Sequence, residues 1–156
     1  MADPISIQFY NFCARTSFAK SGSLTGSTVN IGVNSFSQLP GDTLAAGGGE
    51  QSMVMDSNVV SDFLNGKNWM SLGWYNTSTN YHFGVKIYVP VQVIGIGSRP
   101  YYEVAAGYGT PPWVTPVDDP AKPYTLSPVV EIQMQIEPTS YHTGLSVVAS
   151  IKDPAN

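Results

Sequence analysis

Two histidines, His82 and His142, one cysteine, Cys13, and a scatter of carboxylates are the residues whose chemistry could drive a reaction in this chain. Acyl transfer by a serine needs a nucleophile, an imidazole and an acid brought together. The strained Gly-x-Ser-x-Gly turn that presents such a serine in many hydrolases does not occur. Neither histidine has a second histidine or a cysteine at ligand spacing, so no metal site is expected. Asp56, Asp62, Glu103, Asp118, Asp119, Glu131 and Glu137 supply acids for glycoside hydrolysis, but no spacing pairs two of them. Asp118-Asp119 reads as a solvated acidic turn rather than a Ca²⁺ site. Gly47-Gly48-Gly49 lacks the lysine and hydroxyl of a phosphate loop and reads as a flexible joint. No catalytic residue and no cofactor is therefore expected. A hydrolase assembled from dispersed residues around His82 or His142 ranks third among the functional readings.

A different chemistry is concentrated in "RPYYEVAAGYGTPPW", residues 99–113. Tyr101, Tyr102, Tyr108 and Trp113 are rings of the kind that stack on sugar faces or settle among lipid headgroups. Glycine and proline interrupt any strand that would bury all four. Arg99 supplies a planar cation that clamps phosphate or carboxylate, or pairs with Glu103. These five residues are the candidate ligand-binding set. Trp69 and Trp74 sit in strand-like patterns and are expected in the core.

The elements that must position these rings follow from periodicity. "ISIQFYNF", residues 5–12, alternates Ile5, Ile7 and Phe9 with Ser6, Gln8 and Tyr10, the period-two pattern of a half-buried strand. One or two strands are expected between about 18 and 36, with turns at Gly22 and Gly26. Pro40-Gly41 predicts the centre of a type II turn. "NWMSLGWYN" and "YHFGVKIYVPVQVIGI" flank the turn "NTSTN", and Pro90 marks an edge or bulge because proline donates nothing to a ladder. "TPPWVTPVDDPAKPYTLSP" predicts a long extended loop. "VVEIQMQIEP" and "GLSVVASI" predict a terminal hairpin around "TSYHTG". The one predicted helix, about residues 57–65, has Asp56 or Ser57 as cap, an apolar face of Val59, Val60, Phe63 and Leu64, and Gly66 at its end. The expected fold is all-β, a β-sandwich with that helix packed on a sheet, forming a single domain over residues 1–156.

Composition narrows the function. Charged residues make up 12% of the 156, about half the usual share. A formal charge of −4, with the seven basic residues scattered singly, provides no phosphate-tracking patch, so nucleic acid is not an expected partner. One cysteine forms no internal disulfide. "MADPISIQFY" carries no secretory signal pattern, which predicts synthesis in the cytoplasm with action outside the cell only after release. The sequon Asn76-Thr77-Ser78 would then stay unmodified.

Four stretches also carry a family likeness. "ISIQFYN" resembles the first strand of the actinoporin-like proteins, a group of pore-forming cytolysins and fungal fruit-body lectins built on a β-sandwich. "SLGWYNTSTNYHFGVKIYVP" resembles their central hairpin, "PYYEVAAGYGTPPW" occupies the place of their Tyr-rich segment, and "VVEIQMQIEP" to "LSVVASI" is similar to a terminal hairpin in several such toxins. The chain departs from the cytolysins after Val89-Pro90, where "VQVIGIGSRP" replaces the paired tryptophans that hold phosphocholine. "MADPISI" supplies no long amphipathic helix for insertion. The resemblance thus implies recognition of a lipid headgroup or glycan and does not extend to pore formation. The expectation is a small non-enzymatic recognition protein, lectin-like or headgroup-binding, acting in defence or as a toxin component. The alternative is a self-assembling homo-oligomer of an inclusion, coat or filament, whose low charge removes repulsion between copies.

Overall fold

The computed structural model describes residues 5–28, 36–55, 68–89, 92–93, 96–97, 100–126, 131–141 and 145–154, and among them the secondary structure is entirely β. In chain order the strands are β1 (Ile5–Asn11), β2 (Phe18–Lys20), β3 (Gly26–Ser27), β4 (Phe36–Gln38), β5 (Thr43–Leu44), β6 (Gly49–Met55) and β7 (Asn68–Tyr75). They continue with β8 (Tyr81–Val89), β9 (Gln92–Val93), β10 (Ile96–Gly97), β11 (Tyr101–Tyr108), β12 (Tyr124–Leu126), β13 (Gln133–Tyr141) and β14 (Leu145–Lys152). The predicted helix at 57–65, Pro90, Arg99 and His142 lie outside the described residues.

Two larger sheets result. The first runs β12-β13-β14-β1-β6-β4, and the second runs β11-β8-β7-β2-β5 with β3 paired to β7. Strands β9 and β10 form a separate two-stranded ladder. The alternation read in residues 5–12 is real: Ile5, Ile7 and Phe9 are buried while Ser6, Gln8 and Tyr10 stay half-buried. Strand β14 repeats the pattern with Leu145, Val147, Ala149 and Ile151 inward. It lies parallel to β1, with Ile7 opposite Val147 and Phe9 opposite Ala149.

The inner faces of the two sheets share one core. Phe9 of the first sheet meets Trp74 edge-on at 6.2 Å and 76°, and Phe83 at 6.2 Å. Phe18 stands perpendicular to Phe83 at 4.9 Å. Burying each such side chain contributes roughly 1.5–3 kcal/mol, and perpendicular rings add ~0.5–1.5 kcal/mol per pair. Asn11, at the end of β1, is buried and fully bonded. Its Nδ2 donates to the carbonyls of Thr16 (2.8 Å) and Leu44 (3.1 Å), and its Oδ1 accepts from the Cys13 N–H at 3.0 Å. Because Leu44 belongs to β5, this one amide ties the first sheet to the second.

Several turns differ from the sequence expectation. Gly41 has no positive φ, so Pro40-Gly41 is not a type II turn. The Gln51 side chain takes over instead, accepting from Gly41 N at 2.7 Å and donating to Thr43 O at 2.9 Å. Gly22 lies in a turn, but Gly26 is in β3, opposite Ser71. The triple glycine is a pinned turn rather than a flexible joint. Gly47 and Gly48 hold φ of 75° and 99° and donate to the carbonyls of Cys13 (2.9 Å) and Asn11 (2.7 Å). Left-handed backbone of this kind explains the glycines directly. The "NTSTN" turn is confirmed. Asn76 Oδ1 accepts from Ser78 N at 2.9 Å, and Asn80 adopts the left-handed φ of 63° that asparagine tolerates. The proline-rich segment is not wholly loop, since it contains β12, which pairs with β13.

Candidate ring-lined binding site

The register of β7, β8 and β11 sorts their residues into two faces. Met70, Ile87 and Tyr102 lie side by side, as do Leu72, Val85 and Val104, and these buried rows face the core. The alternate residues lie on the opposite face of the sheet, where Ser71, Gly73, Gly84 and Ala105 are covered and buried. Trp69, Tyr88 and Tyr101 form one row, Ser71, Lys86 and Glu103 the next, and Gly73, Gly84 and Ala105 the third. A strand sequence of period two dictates this separation once the hairpin turn fixes Tyr75 opposite His82.

Outward rings gather around one cation. Tyr88 and Tyr101 stack at 5.1 Å with 19° between their planes. Lys86 Nζ lies 4.4 Å from the Trp69 ring centroid, 4.7 Å from Tyr88 and 5.6 Å from Trp113. Each contact is worth about 0.5–1 kcal/mol at an exposed site. Trp113 reaches this face because Val104 and Val114 exchange two backbone hydrogen bonds of 2.9 Å, docking the loop on the free edge of β11. Its indole covers Gly84, where an added Cβ would stand 3.3 Å from Trp113 Cη2. Glu103 is the register partner of Lys86 yet accepts from the Thr115 hydroxyl at 3.4 Å. Among the described residues the one ion pair within 4 Å is Lys20 with Asp42 at 3.3 Å, so no carboxylate of the described residues forms a close ion pair with Lys86.

The sequence-predicted set divides. Tyr101 and Trp113 join the ring cluster. Tyr102 points the other way: it is 1% exposed, and its hydroxyl donates to Lys122 O at 2.8 Å. Burial, with Tyr124 nearby, pushes its pKa up to about 12. It anchors the strand and offers no surface. Tyr108, at the end of β11, is 59% exposed and stands edge-on to Tyr81 at 5.2 Å. Its hydroxyl donates to Glu131 Oε1 at 2.9 Å, the main reason its pKa is raised. Tyr108 therefore sits apart from the cluster. Trp74 is in the core as expected, but Trp69 is not: it belongs to the outward row. Sequence reasoning also missed Lys86 and Tyr88. Their signal was present, since pairing across "NTSTN" sets Trp69 opposite Tyr88.

His82 assembles with Ser21 and Asn80. The Ser21 hydroxyl is 2.8 Å from Nδ1, and Nε2 is 3.0 Å from Asn80 Oδ1. The amide oxygen only accepts, which assigns the proton to Nε2 and makes Nδ1 the acceptor from Ser21. Ser21 is buried and the third member is an amide, so this trio lacks both the access and the acid of a hydrolytic triad. Burial lowers the His82 pKa below 6.5. The unfolded chain then binds the proton more readily than the folded one. Stability contributed by neutral His82 is full above the unfolded value and is lost as pH falls through it. Thermal midpoints measured from about pH 7 to about pH 5 are expected to fall further in the wild type than in His82→Gln.

Cys13 is buried, and its pKa is pushed up to about 11 by burial and then by the charge of Asp153. Because the thiolate is the reactive form, an aromatic disulfide reagent should label native protein at least on the order of a hundredfold more slowly than protein in denaturant. Equal rates would place the thiol at the surface. Among the described residues no three His, Cys, Asp or Glu side chains are grouped to hold a metal. No family model matches the chain, and no curated protein matches it.

Proposed function

We propose that the protein is a small non-enzymatic recognition protein, a β-sandwich that binds a cell-surface glycan or lipid headgroup through the ring-lined outer face of its second sheet. The observation that carries this reading is the convergence of Trp69, Tyr88 and Trp113 on Lys86, with Tyr101 stacked alongside. Core packing does not account for it, because all these side chains project away from the shared core. Rings supply faces for the apolar side of a sugar, while an ammonium in no close ion pair with a described carboxylate supplies a donor for phosphate, carboxylate or hydroxyl oxygen. A quaternary ammonium is a poorer fit than an anion, since Lys86 already occupies the space among the rings. The likeness to actinoporin-like proteins points to the same ligand classes. Defence or toxicity is the role in which such recognition would serve a protein released from its cell.

Self-assembly by strand pairing has less support. The outer edges of the first sheet are three-residue strands, β12 and β4, and β5 at one edge of the second has two residues. The other edge, β11, is crossed by the segment bearing Pro111, Pro112 and Pro116 and is bridged at Val114. Short or proline-covered edges are poor templates for a second copy.

Tryptophan fluorescence during titration with erythrocyte membranes, then with their extracted lipids, tests the reading. A shift with both is expected for a headgroup, and a shift with membranes alone for a glycan. No shift with either would sink the recognition reading.

A further inference from the structure

The first sheet has an outer face of its own, remote from the ring cluster of the second. Tyr10 and Phe12 stack there at 5.8 Å and 9°, and Phe12 is 56% exposed. Its backbone is fixed by a 2.7 Å bond from Phe12 N to Ile151 O. Beside it, outward residues of three adjacent strands converge: Thr125 pairs with Gln135, Gln135 with Ser150, and Gln133 with Lys152. Together with Phe12 they line a groove of about 250 Å³.

The chemistry of this lining is specific in kind. Phe12, stacked on Tyr10 through one face, and Met134 supply the apolar part of the lining, and the rest is two carboxamides, two hydroxyls and an ammonium, with no carboxylate among them. Gln135 Nε2 donates to Glu137 Oε1 at 3.1 Å, which orients that amide and leaves its carbonyl oxygen to accept. Among the described residues the side chains of Gln133, Thr125, Ser150 and Lys152 make no hydrogen bond, so their donors and acceptors face the groove or water. Carboxamides present a donor and an acceptor side by side, the pattern that matches neighbouring hydroxyls on a ring. An exposed ring matches the C–H face of that same ring. The volume is below the usual range for a drug-sized ligand and suits a single six-membered ring.

We propose that this groove is a binding site for one hexopyranose unit, with Phe12 stacking on the sugar face, Gln133 and Gln135 reading its hydroxyls, and Ser150, Thr125 and Lys152 bonding to oxygens at the rim. The site is independent of the ring cluster on the second sheet and stands whether or not that cluster binds anything.

Amide chemical-shift mapping on the full chain tests it, with the methyl pyranosides of glucose, galactose and mannose as probes. At least one is expected to shift resonances at Phe12, Gln133, Gln135, Ser150 and Lys152, with affinity reduced at least tenfold in Phe12→Ala and in Gln133→Ala. Trp113→Ala, on the other sheet, is expected to leave those shifts intact. The proposal is overturned if none of the three sugars shifts these residues, or if the shifts survive both groove substitutions. Phe12 and Gln133 are surface side chains, and the amide spectrum itself reports whether each variant keeps its fold.

Discussion

Asn11→Ala is expected to destabilise the protein by about 2–4 kcal/mol, read as a shift in the denaturant midpoint at unchanged slope. The substitution removes little apolar area. Its cost comes from three backbone groups left without partners: the carbonyls of Thr16 and Leu44 and the N–H of Cys13. An unsatisfied buried group costs about 1–3 kcal/mol, and partial entry of water offsets some of the sum. For a chain of this length the thermal midpoint should fall by roughly 5–15 °C. Asn11→Asp keeps the shape and the acceptor but loses both donors, so it is expected to be no milder. Gln8→Ala is the control. Gln8 makes an exposed 3.4 Å contact with Glu50, and its loss should lie within about 0.5 kcal/mol. An Asn11→Ala protein as stable as the Gln8→Ala protein would refute the link between sheets.

Gly84→Val is the second large effect, and it joins stability to the site. Valine is ordinarily favoured in a strand over glycine. Here a Cβ would approach Leu72 O at 2.9 Å and Gly73 Cα at 3.0 Å, both main-chain atoms, and would press on Trp113 Cη2 at 3.3 Å. Backbone cannot yield as a side chain can, so a loss of about 2–3 kcal/mol is expected. The indole of Trp113 must also lift, which should alter its fluorescence in the folded state. Gly22→Ala meets nothing within 4 Å and needs no left-handed backbone, so it should be nearly neutral. A stable Gly84→Val protein with unchanged fluorescence would mean that Trp113 does not rest on that strand.

The parts of the fold legible in the sequence were those carried by local alternation. Strands β1, β7, β8, β13 and β14 alternate inward and outward residues, and Asn76 and Asn80 mark their own turn. Long-range pairing left no such trace. Nothing near residue 7 announces that it will lie opposite Val147 in a parallel ladder. Side-chain substitutes for turn geometry were equally hidden: Gln51 does at Gly41 what a left-handed glycine would have done. Glycine content alone suggested freedom at residues 47–49, but carbonyls of Asn11 and Cys13, distant in sequence, hold that turn.

Legibility of the site was uneven for a related reason. Density of rings singled out residues 101–113, yet density does not say which way a side chain points. Tyr101 and Tyr102 are neighbours in sequence and face opposite sides of one strand, so one joins the cluster and the other the core. Register across a hairpin is the signal that recovers Trp69, Lys86 and Tyr88 from sequence. Trp113 is different, because only the bridge between Val104 and Val114 brings the loop over the sheet.

The most direct test of ring-based recognition is the affinity of Trp113→Ala for erythrocyte membranes, measured beside the wild type by sedimentation, with near-ultraviolet circular dichroism to verify the fold. Loss of a stacking ring should weaken binding by on the order of tenfold while the fold persists. Equal affinity in a folded Trp113→Ala protein would contradict the account.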